Sequence, residues 1–181
     1  IHMFAEGKRD KKWIKIKDEF KHINWKDEEF FSDKVYDSRN YELFSFLADV
    51  RNYDDIKPIS EPKGIPEDAS HGYLGEVENW GMDGHSHSYF TLKELKEIPK
   101  ELLEQEINDE HLILSKDDSG ITAVCRDTNG KHLGKVGQRK LFKLFGNDHS
   151  PIDSIIEKLE EYSKYKGIDD ENIRIVFFFD N

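Results

Sequence analysis

Ile173-Arg174-Ile175-Val176-Phe177-Phe178-Phe179 is the stretch whose reading decides the fold: six of its seven side chains are apolar, and Asp180-Asn181 follows at once. Strict alternation would mark a strand with one wet face. A short, nearly continuous apolar run rich in β-branched and aromatic residues marks a strand covered on both faces. The chain is therefore expected to place residues 173–179 in the middle of a sheet with layers on both sides.

Working outward, residues 4–8 and 12–16 flank a polar turn at Arg9-Asp10-Lys11, with Trp13, Ile14 and Ile16 supplying strand-like bulk. They read as a hairpin. Residues 18–37 mix aromatics with charges without a clean period and read as irregular. Leu43, Phe44, Leu47 and Val50 form a helical stripe over 41–51, with Asp37, Ser38 or Asn40 available as cap. Pro58, Pro62 and Pro66 forbid a regular element before a second helix, which is expected from Pro66 to about Trp80 with Gly81 as its stop. Thr91-Leu92-Lys93-Glu94 fits a capping box ahead of a short helix, and a further turn or two is expected up to Ile107. Residues 112–114 and 121–124 read as strands joined by Asp117-Asp118-Ser119-Gly120, and Thr128-Asn129-Gly130 as another turn. Ser150-Pro151 opens the clearest helix, with Ile152, Ile155, Ile156, Leu159 and Tyr162 as its stripe and Gly167 as its stop. The expected class is α+β: a single domain over 3–181, with an antiparallel or mixed sheet packed by three or four helices.

Composition bounds the function. Hydrophobic and charged residues each make up 36% of the chain, yet 12 Phe, 7 Tyr and 3 Trp give it a core to bury, unlike a disordered chain. The formal net charge of −11 argues against general nucleic-acid binding, since a phosphate backbone is repelled on average. The apolar runs fall far short of the ~20 residues of a helical membrane span. No secretory signal follows Met3, and Ile1-His2 reads as a cloning remnant. With a single cysteine, Cys125, expected as a buried apolar residue, no internal disulfide is possible. A cytoplasmic location is expected.

Three segments could carry chemistry. The first is Asp83-Gly84-His85-Ser86-His87-Ser88-Tyr89. In an extended strand His85, His87 and Tyr89 share one face, because side chains alternate with a period of two. Two imidazoles beside Asp83 could contact a ligand. Alternatively Asp83, His85 and His87 could hold a divalent metal such as zinc or manganese. His and Ser at a strand-to-helix turn also commonly satisfy backbone groups. Asp-Gly-His-Ser-His-Ser resembles the first metal motif of the polymerase-and-histidinol-phosphatase phosphoesterases, but that family's further His and Asp motifs are missing here. The second segment, 130–140, interleaves Gly130, Gly134 and Gly137 with Lys131, His132, Lys135, Arg139 and Lys140, with Lys143 beyond. It could cradle an anion, although it matches neither the phosphate loop nor the dinucleotide fingerprint. The third is Arg39 and Arg51, each able to fork to a carboxylate or a phosphate, structural ion pairing being the commoner use. Asp49 and Arg51 do not share a helix face.

Arg39-Asn40-Tyr41-Glu42-Leu43-Phe44, Phe46-Leu47-Ala48-Asp49-Val50-Arg51, Gly64-Ile65-Pro66, Trp80-Gly81-Met82-Asp83-Gly84-His85-Ser86-His87-Ser88 and the terminal Phe-Phe-Asp-Asn occur in an order that resembles a family of small bacteriophage- and prophage-encoded proteins without an assigned reaction. The resemblance covers roughly residues 4–98 and the last ten. It implies an accessory protein acting in the host cytoplasm, where such proteins modulate host defence or metabolism by binding a host protein or a small nucleotide signal. The leading expectation is thus a binding module with no cofactor. It would hold a small anionic ligand or a host protein in a cleft at His85, His87, Tyr89 and Arg39 or Arg51. The alternative is a metal-dependent phosphoester or nucleotide hydrolase built on Asp83, His85 and His87.

Overall fold

The structure, a computed structural model, describes residues 1–117, 120–125, 135–142 and 150–180, with the backbone alone for 108–117, 120–125 and 135–138. Its class is α+β. The main sheet contains β1 (His2–Arg9), β2 (Lys12–Lys15), β5 (Lys34–Tyr36), β6 (His85–Thr91) and β10 (Ile173–Phe179). Its order is β2-β1-β10-β6, with β5 also on β1, and every pairing is antiparallel. All seven residues of β10 are buried, as the continuous apolar run requires of a strand flanked by β1 and β6 and covered on both faces.

The first face carries Met3, Ala5, Phe90, Ile173, Ile175, Phe177 and Phe179. It packs under α1 (Tyr41–Ala48), α3 (Leu92–Lys96) and α5 (Pro151–Lys166). Ser150 and Asp153 form a capping box at the start of α5, Pro151 opens it, and Gly167 closes it in the left-handed region at φ 64°. Ile152, Ile155 and Leu159 drive its apolar stripe into this core. Each fully buried side chain of this kind contributes roughly 1.5–3 kcal/mol.

The second face is smaller: Phe4, Val176 and Phe178 pack on Tyr73 of α2 (His71–Trp80). The second helix therefore starts later than Pro66, at a cap provided by Ser70. The intervening chain instead anchors itself to buried charges. Glu6, with no exposure, accepts from the Ser70 backbone N–H at 2.8 Å and from Arg174 Nε at 2.7 Å. Arg174 also donates to Asp68 at 2.8 Å, beside the Trp13 indole N–H, and its guanidinium lies 4.0 Å from the Trp13 ring. The lone charge inside the apolar run is thus fully paired, as a buried ion must be.

Outside the main sheet, β3 (Phe20–Ile23) and β4 (Glu29–Ser32) form a separate hairpin within the span expected to be irregular. Its side chains are largely exposed, so burial imposed no apolar alternation on it. α4 (Lys100–Leu103) leads into β7 (Glu106–Asp117), which pairs with β8 (Gly120–Cys125) and β9 (Lys135–Lys140). The expected strands at 112–114 and 121–124 fall inside β7 and β8. Residues 118–119, the turn at 128–130, Lys131, His132 and Lys143 lie outside the described residues, as do the side chains of Cys125 and Lys135. No helix among the described residues is long and apolar enough to cross a membrane.

Candidate functional site

The His-Ser-His segment opens β6, but its alternation is broken. Phe177 pairs with Ser88 while Phe179 pairs with His85, so an extra residue of β6 stands opposite Phe178. Ser86 carries this bulge with φ 51° and bonds the His85 ring through its hydroxyl at 3.0 Å. A bulge reverses the parity of a strand. His85 accordingly lies against Phe179, of the first face, at a ring separation of 6.2 Å. His87 lies against Phe178, of the second face, at 5.2 Å and within 3.2 Å of the Tyr73 hydroxyl. The expectation that His85, His87 and Tyr89 share one face is corrected: only His87 and Tyr89 do.

This geometry also bears on the metal alternative. Among the described residues no three His, Cys, Asp or Glu side chains converge as a metal site, and Asp83, His85 and His87 are split by the bulge. They do not fit a metal centre. His87 is better described as a structural imidazole. Burial pushes its pKa down, the bond to the Gly84 backbone opposes that shift, and the neighbouring His85 adds to it.

Arg39 and Arg51, 12 residues apart in sequence, do come together. With Lys34, Asp37, Phe44, Phe179, Asp180 and the first two residues they line a hollow of about 200 Å³. α1 brings them there: Asn40 caps its start by accepting from the Leu43 N–H, and Asp49 ends it in the left-handed region at φ 55°. The loop beyond holds two further non-glycine residues at positive φ, Arg51 at 54° and Asp55 at 52°. Such conformations cost of order 1–3 kcal/mol each for ordinary residues, less for Asp, and concentrate at ligand clamps. Asn52 fixes the loop, donating to Asp49 at 2.6 Å and to the Ile56 carbonyl at 2.7 Å while accepting from the Ile56 N–H at 2.8 Å.

Arg51 in turn is fixed without a carboxylate. It donates to the Asp180 carbonyl at 3.1 Å and to the Tyr41 hydroxyl at 3.4 Å, with its guanidinium 5.3 Å from the Tyr41 ring. Among the described residues no carboxylate pairs with the side chain of Lys34, Arg39 or Arg51, so the expected ion pairing of the two arginines is not what the structure holds. Two carboxylates, Asp37 and Asp180, also line the hollow, so its side chains set three cations against two anions. In a chain of net charge −11 this leaves a local cationic well that a phosphate or carboxylate can enter. At its rim Tyr41 and Tyr53 stand edge to face, 6.2 Å apart, with Tyr53 75% exposed.

His85 reaches this region only through the Phe179 ring, and His87 and Tyr89 lie across the sheet. Lys34 and Tyr53 were not legible as site residues, because each comes from a segment whose sequence carries no motif; Tyr41 lies beside Arg39 in sequence but reads there as the start of a helix. In the basic segment, Arg139 is spent on Glu42 of α1 as an ion pair. No family model matches the chain, and neither a curated protein nor a solved structure does.

Proposed function

We propose that the chain is a phage-encoded accessory protein that binds a small anionic, nucleotide-like ligand and acts by occupancy, without turnover. The observation that carries this reading is the cationic hollow: Lys34, Arg39 and Arg51 around one cavity, none ion-paired among the described residues. Phosphate oxygens would accept from the two guanidinium forks and the Lys34 ammonium, while Phe44 and Phe179 form the apolar floor. A planar base would lie on the exposed Tyr41–Tyr53 rim, since base–aromatic stacking tolerates any base. The clamped 49–56 loop supports the reading too, because a preorganised arginine loses little freedom on binding. Sequestering a nucleotide signal would be the means of modulating host defence.

The test is mass spectrometry of small molecules released by denaturing protein purified from host cells. An intact phosphorylated nucleoside at near one-to-one stoichiometry supports the reading. Release of no anion, together with no saturable uptake of nucleotides by the refolded protein, contradicts it.

A further inference from the structure

A second concavity, distinct from the cationic hollow, lies between the β3–β4 hairpin and α5. It measures about 500 Å³, inside the about 300–1,000 Å³ range of small-molecule sites. Phe20 and Tyr162, both buried, face each other at 6.0 Å at its base. Ile23 and Phe31 of the hairpin and Tyr165 of α5 line it while more than half exposed. An apolar concavity alone does not say what fills it. Its charges do.

Four charged side chains line the groove besides these rings: Glu19, Lys21, Lys158 and Glu161. Glu19 is paired with Lys166 at 3.1 Å and Lys21 with Glu29. Glu161 stands exposed to water. Lys158 is different. Its half-buried ammonium donates to the Val35 carbonyl at 3.0 Å and pairs with no carboxylate among the described residues. Burial pushes its pKa below the ordinary lysine range, with Asp37 opposing from a distance.

The geometry points to a small-molecule site for an apolar monocarboxylate, whose carboxylate meets Lys158 Nζ and whose aromatic or aliphatic body lies among Phe20, Ile23, Phe31 and Tyr162. The carboxylate gives the ammonium an anionic partner and a charge-assisted bond, and the body covers rings now facing water.

The probe is 4-phenylbutyrate, with 4-phenylbutanol as its uncharged counterpart, titrated into the full chain and followed by NMR shifts of the aromatic side chains. The acid is expected to saturate one site and to bind roughly tenfold or more tightly than the alcohol. Lys158→Met, which keeps the apolar stem, is expected to bring the acid down to the alcohol's affinity. Phe31→Ala, an exposed change that leaves the core intact, is expected to weaken both. Equal binding of acid and alcohol, undiminished acid binding by a folded Lys158→Met, or shifts that never saturate would each overturn the assignment.

Discussion

The guanidinium of Arg51 reaches the backbone carbonyl of Asp180 at 3.1 Å, joining the loop after α1 to the end of the central strand. The contact joins residues 129 apart in sequence and carries no compensating carboxylate. Arg51 is thereby held in place with its charge still available, which is what distinguishes the hollow from an ordinary surface ion pair.

Neutralising either arginine should weaken ligand binding while leaving the chain folded. Arg39→Met and Arg51→Met are each expected to weaken ADP binding by roughly tenfold or more, since a charge-assisted bond is worth about 1.5–3 kcal/mol. Lys12→Met, an exposed change on β2 far from the hollow, should leave it unaltered. Binding by the unaltered chain should also weaken as salt rises, because the hollow is open to screening. Equilibrium dialysis reads all four.

The tyrosine rim separates a nucleotide from bare phosphate. Tyr53→Ala is expected to reduce ADP affinity by the equivalent of about 1–3 kcal/mol, the value of one base stacked on an aromatic ring. Pyrophosphate affinity should not change. Calorimetric titration of both ligands into the same variant makes the comparison.

Glu6→Gln should be among the most damaging single-atom-scale changes in the chain. It leaves Arg174, buried at 4% exposure, short of its nearer carboxylate. Breaking such a pair by removing one partner costs about 3 kcal/mol or more, read as a lowered midpoint in urea unfolding.

Acid should loosen the second face through His87. Its folded pKa is depressed, first by burial, so the neutral form is favoured in the native state. That contribution is fully present above the unfolded value of about 6.5. It is lost as pH falls below that value toward the folded pKa, because the unfolded chain takes up the proton first. The melting temperature should therefore fall between about pH 7 and pH 5, and His87→Gln should show a shallower fall.

The core was legible where burial and periodicity coincide. Ile173–Phe179 announced a two-sided strand, and the Ile152 stripe with Ser150-Pro151 and Gly167 announced α5 with both ends. What escaped was structure set by single backbone angles and by exposed side chains. One residue, Ser86 at φ 51°, moves His85 to the face opposite His87, and nothing in His-Ser-His marks a bulge. The β3–β4 hairpin exposes Phe31 and Ile23, so hydrophobic alternation could not reveal it. Arg39 and Arg51 were visible as candidate anion ligands by residue type. The placement of Arg51 depends on the fold of the 49–56 loop, which Asn52 closes by hydrogen bonds that leave no pattern in sequence.

Isothermal titration of ADP into the unaltered chain and into Arg51→Met tests the central claim most directly. One saturable site is expected in the unaltered protein, and a loss of roughly tenfold or more in a variant that still unfolds in one cooperative transition. No heat of binding in the unaltered protein, or the same affinity in both, would contradict it.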